Sequence, residues 1–574
     1  MPYRAPVDEI RFILDHVVRF GEVTATARFA DAAPETVHAI LDEAAKLADG
    51  VLAPVQRAGD TAGAVLAGER LRTAPGYREA YARIADGGWV GLAGDPAYGG
   101  QGLPFTLAAA VNDMMSGACL ALALNPLLTQ GQIEALETHA SGEIKALYLP
   151  KLNSGEWTGT MCLTEPQAGS DVGALTTKAV AQGDGTYRVT GQKIFISWGD
   201  HDFGGNVCHL VLARLPDAPA GTRGISLFLV PKYLPDADGA PGAANRLGVL
   251  RLEHKLGMHG SPTCVMGFDG ATGWLIGEEN AGMAAMFTMM NNARVQVGVQ
   301  GVGAAEGAYQ LAVAHALERK QGRTPVAAAA GGTGAIVDHA DVRRMLVEMQ
   351  AEIFAARAIA LACAVSLDMA KATGDPDWAA RAALLTPVAK AHGTEVGVKV
   401  ANLGLQVHGG MGYIEETGAA QYLRDVRVTT IYEGTNGIQA MDLVGRKMMD
   451  GGETAFRLFD EGEEAAEEAR AVIPDLADTV WGAAETLRET LEYLLERDLE
   501  DRYAGAAAYL AASGRVTGAF LHLRAAVAEG GDGPRTALAR FYIERLLPEH
   551  LSLTAQARAG AAGLYAVAPE DLAR

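Results

Sequence analysis

Along 8–20 and again along 34–55, apolar side chains return every three or four positions, the spacing of one buried helix face. The second run opens at Ala33-Pro34 and is expected to close before Pro54, because proline lacks the N–H that continues a helix. A shorter helix is expected over 76–84. Residues 93–104, AGDPAYGGQGLP, read as a glycine-rich loop, and 107–124 is nearly all apolar, as in a buried helix. Near Trp157 the texture changes. TGTMCL, YRVTGQKIFIS, VCHLVLARL, GISLFLVP and TCVMGF are strand-like runs separated by Gly, Pro and Asp, and predict an antiparallel β-domain.

Helical texture returns near Gly282, with long alanine-rich stretches over 283–320, 339–372 and 378–407 that read as a bundle. Residues 324–336 are low in complexity and read as a loop. After Met449 a DGGET linker leads to a further helical segment, whose acidic run at 460–468 reads as a solvated face. The expected fold is mainly α with a central antiparallel β-domain. Its parts are an N-terminal helical domain (1–156), a β-domain (157–280), a helical bundle (281–449) and an appended C-terminal helical domain (450–574).

The 574 residues are 49% apolar and 20% charged, enough for large cores. A net charge of -21 argues against sequence-independent binding to nucleic acid or an anionic membrane. No window approaches 18 uninterrupted apolar residues, so no membrane span is expected. Five scattered cysteines without a CxxC pair argue against a disulfide framework or a metal site and fit a cytoplasmic protein. The N-terminus carries acids within its apolar stretch and does not read as a signal peptide.

Candidate chemistry sits in five stretches. In MCLTEPQAGSDVGAL (161–175), Thr164, Ser170 and amides near Gly169 suit a planar polar ligand or a phosphate; a plain strand-end turn fits as well. GQKIFISWG (191–199) should place Phe195 and Trp198 on opposite faces if the strand is regular. MMNNARVQVG (289–298) puts Asn291 and Arg294 on one helical face, where Arg294 is either an anion anchor or a surface arginine. LERKQGR (317–323) is a basic helix end, and GLQVHGGMGY (404–413) a glycine-rich break. Gly301, Gly303 and Gly307 do not follow a strand and suggest close helix packing, not a dinucleotide fingerprint. In RVTTIYEGTNGIQ (427–439), Glu433 is either a solvated turn residue or a base in a dry pocket.

In this order the stretches resemble the acyl-CoA dehydrogenase family, over about 90–450. The appended helices resemble its longer bacterial branch, which includes enzymes acting on 3-methylmercaptopropionyl-CoA. The resemblance implies FAD, held between the β-domain and the bundle and touched by a partner subunit of a homodimer. It implies Met161, Leu163, Thr164, Phe195, Ser197 and Thr435 around the flavin, and Arg319, Gln321, Gln406 and Gly410 on its dinucleotide portion across a subunit contact. Ser170, Asn291, Arg294, Tyr432 and Gly434 match acyl-CoA contacts, and Glu433 the catalytic base. Phe195 stands where many members have Trp, Ser197 and Gln321 where Thr is frequent, Asn291 in place of an acid, and Gly437 in place of Glu or Gln.

The implied reaction is α,β-dehydrogenation of an acyl-CoA thioester to a trans-2-enoyl-CoA, with electrons passed to an electron-transferring flavoprotein. A carboxylate closed in by Tyr432 and an acyl chain would lose hydration, raising its pKa toward working pH. A fatty acyl-CoA dehydrogenase of short to medium chain length, a flavin oxidase on the same fold and a non-catalytic acyl-CoA-binding scaffold remain alternatives.

Overall fold

A computed structural model describes residues 3–68, 70–325 and 332–573. The expected loop at 324–336 therefore lies partly outside the described residues. The described chain forms two compact units, one of residues 3–5 and 42–293, the other of residues 6–41 and 294–573. The divisions fall inside the helices Pro34–Leu47 and Gly282–Glu318.

In the first unit, Phe105–His139 is a core helix interrupted at Cys119, whose φ of -159° and ψ of 84° are not helical. It extends well beyond the expected 107–124. The helix begun at Pro34 does not stop before Pro54. A π-type turn over Ala48–Leu52 carries it into Ala53–Thr61, where Pro54 occupies the first turn and needs no N–H partner. A hairpin of Val65–Ala67 and Arg70–Arg72 was not expected in this helical region.

The strands build one seven-stranded sheet. Thr263–Ile276, Tyr187–Ser197, Lys178–Ala181, Asn206–Arg214 and Ile225–Pro231 pair in sequence, and the last returns to the first. That closure removes the free edges of those five strands. Their inward side chains, among them Val189, Ile196, Val211, Phe228, Cys264 and Phe268, form one core cluster. The expected antiparallel order holds for most ladders. Trp157–Cys162 instead pairs in parallel with Asn206–Arg214, after the intervening hairpin of Lys178–Ala181 and Tyr187–Ser197. Lys178–Ala181 meets the same strand in parallel through a single pair.

The second unit is helical. Ala340–Thr373, Pro376–His408 and the latter part of Gly282–Glu318 pack around Val302, Met349, Ile353 and Val400. Gly301 explains its place in the sequence: a Cβ there would lie 2.3 Å from the Gly393 carbonyl oxygen, so only glycine permits this helix approach. Gly298 similarly faces the Ala389 carbonyl at 2.5 Å. The appended segment supplies Glu453–Ala469, Pro474–Leu495, Leu499–Ala528 and three shorter helices from Pro534 to Tyr565. It is tied to the bundle by charge. Arg515 reaches Glu352 at 2.8 Å, and Arg381 grips Glu461 through two bonds of 2.6 and 2.8 Å. The acidic run is thus only partly a solvated face.

Among the described residues, two helices are long and apolar enough to cross a membrane, Phe105–His139 and Ala340–Thr373; their most apolar windows are 100% and 89% buried in the fold.

Candidate active site

On the sheet unit, the 191–199 strand is not regular. Cys264 pairs with Ile196 but Met266 with Lys193, so Ile194 and Phe195 together oppose Val265 in a bulge. Phe195 has φ 60°, a conformation that costs a non-glycine residue roughly 1–3 kcal/mol. The bulge turns its ring outward, 59% exposed. Trp198 does lie on the other side, fully buried, with its indole N–H donating to the Ala121 carbonyl at 3.1 Å.

The end of Trp157–Cys162 is stitched beside this bulge. The Ile194 N–H donates to the Thr164 carbonyl at 2.9 Å, and the Lys193 Nζ to the Leu163 carbonyl at 2.8 Å. The same ammonium meets Glu165 at 2.8 Å with both side chains dry. Burial alone would raise the Glu165 carboxyl, but Lys193 and donors from Thr176 and Thr177 outweigh it and hold the group at about 2. Met161 is buried, Leu163, Thr164 and Ser197 are half-buried, and Ser170 is exposed. An outward aromatic ring flanked by two hydroxyls fits a flat, polar-edged ring system such as a flavin. Lys193 and Glu165 set this arrangement, and the sequence reading missed both.

On the helical unit, the IYEGT segment leaves a 3-10 turn over Arg427–Thr430. Glu433 at φ 56° and Gly434 at φ 87° make consecutive left-handed steps. Thr435 then caps the helix Asn436–Asp442, its hydroxyl accepting from the Ile438 N–H at 3.2 Å. The Glu433 carbonyl accepts from Arg294 Nε at 3.4 Å, and Arg294 lies 3.9 Å from Asp442. Arg294 is 5% exposed, so it is no surface arginine, and its guanidinium faces the turn itself. Asn291, three residues earlier, is exposed. The Tyr432 hydroxyl donates to Gln300 Oε1. Lys390, fully buried, donates to Asn436 Oδ1 at 2.8 Å.

Burial pushes the Glu433 carboxyl up to about 7, against the pull of Arg294 and Lys390. Glu433 is therefore a half-buried carboxyl that exchanges a proton near neutrality, which a solvated turn residue would not do. Glu415 and Glu416, the nearest acids of the glycine loop, are exposed.

Arg319, Gln321, Gln406 and Gly410 all lie at the surface of the helical unit. The stacked rings of His315 and His408, with centroids 4.5 Å apart, hold the Arg319 end of one helix beside the Gln406 end of another. Lys390 did leave a sequence signal, a lone cation within the apolar stretch LLTPVAKA.

The fold is that of the flavin-dependent acyl-CoA dehydrogenases, and the chain belongs to that family. Its profiles for the acyl-CoA dehydrogenase N-terminal, middle and C-terminal domains match 34–156, 160–271 and 280–449, and an acetyl-CoA dehydrogenase C-terminal-like profile matches 458–568. The chain is 43% identical to the 3-methylmercaptopropionyl-CoA dehydrogenase of Ruegeria pomeroyi, over 96% of this chain and 97% of that one. It is 37% identical to a butyryl-CoA dehydrogenase of Syntrophomonas wolfei over 71% of this chain and 69% of the relative. An acyl-CoA dehydrogenase from Bacillus anthracis, solved with FAD, shares the fold at TM-score 0.73 and 18% identity, covering 97% of this chain and 92% of that one. The protein is an oxidoreductase that uses FAD.

Proposed function

We propose that the enzyme dehydrogenates a short acyl-CoA thioester, 3-methylmercaptopropionyl-CoA, with Glu433 as the base. The carrying observation is the Glu433 carboxyl, desolvated to a pKa near 7 and fixed on a left-handed turn. The 43% identity over nearly the whole of a 3-methylmercaptopropionyl-CoA dehydrogenase supports the substrate. Glu433 takes the α-proton. Its own backbone N–H is the donor proposed for the thioester oxygen as charge develops there. FAD, when bound, supplies the acceptor for the hydride leaving the β-carbon, and the product is the trans-2-enoyl thioester. Phe195, Thr164 and Ser197 would hold the ring system, with Met161 and Leu163 beside it. Arg319, Gln321, Gln406 and Gly410 would hold the dinucleotide part, and Ser170, Asn291 and Gly434 the coenzyme A side. An electron-transferring flavoprotein would take the electrons onward.

We further expect a homodimer. The appended helices cover one face of the bundle through Arg515–Glu352 and Arg381–Glu461, so that face is not open to another subunit.

The test is anaerobic mixing of the yellow protein with 3-methylmercaptopropionyl-CoA and with straight-chain C4 to C16 thioesters, followed at the flavin absorbance. Fastest bleaching is expected with the thioether or with butyryl-CoA. No bleaching by any thioester overturns the reading, and rapid peroxide release in air assigns an oxidase instead.

A further inference from the structure

Lys390 is a charge with almost nothing around it to justify its burial. It lies on Pro376–His408 with its side chain wholly enclosed, and its one hydrogen-bond partner among the described residues is a neutral amide oxygen, Asn436 Oδ1, at 2.8 Å. An ammonium so placed is costly unless a negative group shares the site. The backbone here does not yield: Gly298 and Gly301 of the neighbouring helix press against the Ala389 and Gly393 carbonyls.

Asn436 is itself fixed. Its Nδ2 donates to Glu395 Oε1 at 2.7 Å and to Thr394 Oγ1 at 3.1 Å. It is also the first residue of the helix that follows Glu433, Gly434 and Thr435. Lys390 is thus tied, through one amide, to the start of the helix that the Glu433 turn feeds. Other charged groups face the site from each packed element. Arg294 comes from Gly282–Glu318 and Glu395 from Lys390's own helix, Tyr432 faces Glu433 from the turn itself, and Asp442 and Arg446, after Asn436, face Arg294. Arg294 is already engaged by the Glu433 carbonyl and Asp442, while Asp442 also binds Arg446 at 2.5 Å. Glu395 is held by Asn436. Two carboxylates act on Lys390, the half-buried Glu433 more strongly than the exposed Glu395. Burial drives the Lys390 ammonium down to about 7, with Glu433 the largest influence in the opposite direction.

Taking Glu433 as the base, we propose that Lys390 is its positioning residue: the buried ammonium, anchored on Asn436, keeps the Glu433 carboxylate charged and fixes the helix that follows its turn. Lys390 touches no reacting atom in this assignment. It sets the fraction of enzyme whose base is ready.

The test is the pH dependence of flavin bleaching by 3-methylmercaptopropionyl-CoA, anaerobically, in FAD-loaded wild type, Lys390→Met, Lys390→Arg and Glu433→Gln. Removing the positive charge should move the alkaline-rising limb up by about one pH unit, the low end of what a neighbouring charge does to a carboxyl. Lys390→Arg keeps the charge and should leave the limb near its wild-type position. A uniform fall in rate with an unmoved limb in Lys390→Met overturns the inference, as does an equal shift in Lys390→Arg. If Lys390→Met does not accumulate folded, Asn436→Ala, which frees the ammonium from its one acceptor among the described residues, should shift the limb in the same direction by less; no shift overturns the inference. Glu433→Gln separates the two levels. If it still bleaches at near wild-type rate, the base assignment has failed. If it is inert and the Lys390 limb stays put, only the role of Lys390 has failed.

Discussion

Replacing Glu433 by Gln should remove activity and, above neutral pH, stabilise the fold. Gln keeps the shape of the side chain and the left-handed backbone, and leaves the Arg294 contact to the residue's carbonyl in place. It cannot take a proton, so bleaching by substrate should fall ~10²–10⁴-fold. The stability effect follows from linkage. The folded carboxyl sits near 7, against 4.5 when free. A raised acid favours the folded state fully below its free value, and that contribution is lost as pH climbs from about 4.5 through about 7. A shift of that size corresponds to about 3 kcal/mol at pH 8 and above. That is a ceiling, because Lys390 and Arg294 lose a negative neighbour in the variant. A net gain of roughly 1–2 kcal/mol over wild type at pH 8.5, shrinking toward zero at pH 5, is expected. Thermal unfolding of both FAD-loaded proteins across that range measures it, beside anaerobic bleaching on the same samples. A variant that bleaches within a few-fold of wild type, or whose stability difference does not depend on pH, would refute the desolvated-base argument.

Arg294→Ala should lower kcat and not merely raise KM, because the guanidinium is buried against the Glu433 carbonyl; steady-state kinetics showing a KM effect alone would contradict this. Phe195→Ala should weaken FAD binding roughly 2- to 10-fold, the worth of one aromatic stacking partner; reconstitution of apoprotein with an unchanged Kd would remove the ring from the cofactor site. Lys193→Met should cost ~3–5 kcal/mol by stranding the buried Glu165 carboxylate, with Lys193→Met/Glu165→Leu recovering part of it. The wild-type contribution of Glu165 should be present above about pH 4.5 and be lost as pH falls through about 2, since its folded value is depressed; urea unfolding of both variants at pH 7 within 0.5 kcal/mol of wild type would contradict it.

The fold was legible where one physical pattern ruled a long stretch. The helices Gly282–Glu318, Ala340–Thr373 and Pro376–His408 lie within a few residues of where apolar periodicity placed them. It was less legible where local rules compete. Pro54 is a helix breaker in the interior, but a π-type turn before it makes its position a helix start, and no periodicity shows such a turn. Lys178–Ala181 and Leu247–Leu252 are only 4 and 6 residues long and largely exposed, too short for sustained alternation to mark them. The parallel pairing of Trp157–Cys162 depends on partners far along the chain, which side-chain alternation does not encode.

The site divides along the same line. Motif order singled out Glu433, Phe195 and Arg294 as candidates, because those side chains are read one at a time. What sets their chemistry is pairwise and distant. Lys193 bonds Glu165 across 28 residues, and Lys390 reaches Asn436 across 46. Each is a lone cation in an apolar run, and such a residue has two readings: it points outward, or it is buried with a partner. Sequence periodicity decides neither: regular alternation would put Lys193 on the side of Phe195, and only the bulge turns it inward with Ile196, while Lys390 is buried with its neighbours on every side of an apolar helix. Once burial is granted, the cost of an isolated ammonium demands a carboxylate or a strong acceptor nearby. In the structure Lys193 pairs with Glu165, while Lys390 bonds Asn436 and feels Glu433 more strongly than Glu395. A buried lone lysine in an apolar helix is thus a pointer to a nearby carboxylate, and in this protein that pointer leads to Glu433, the proposed base.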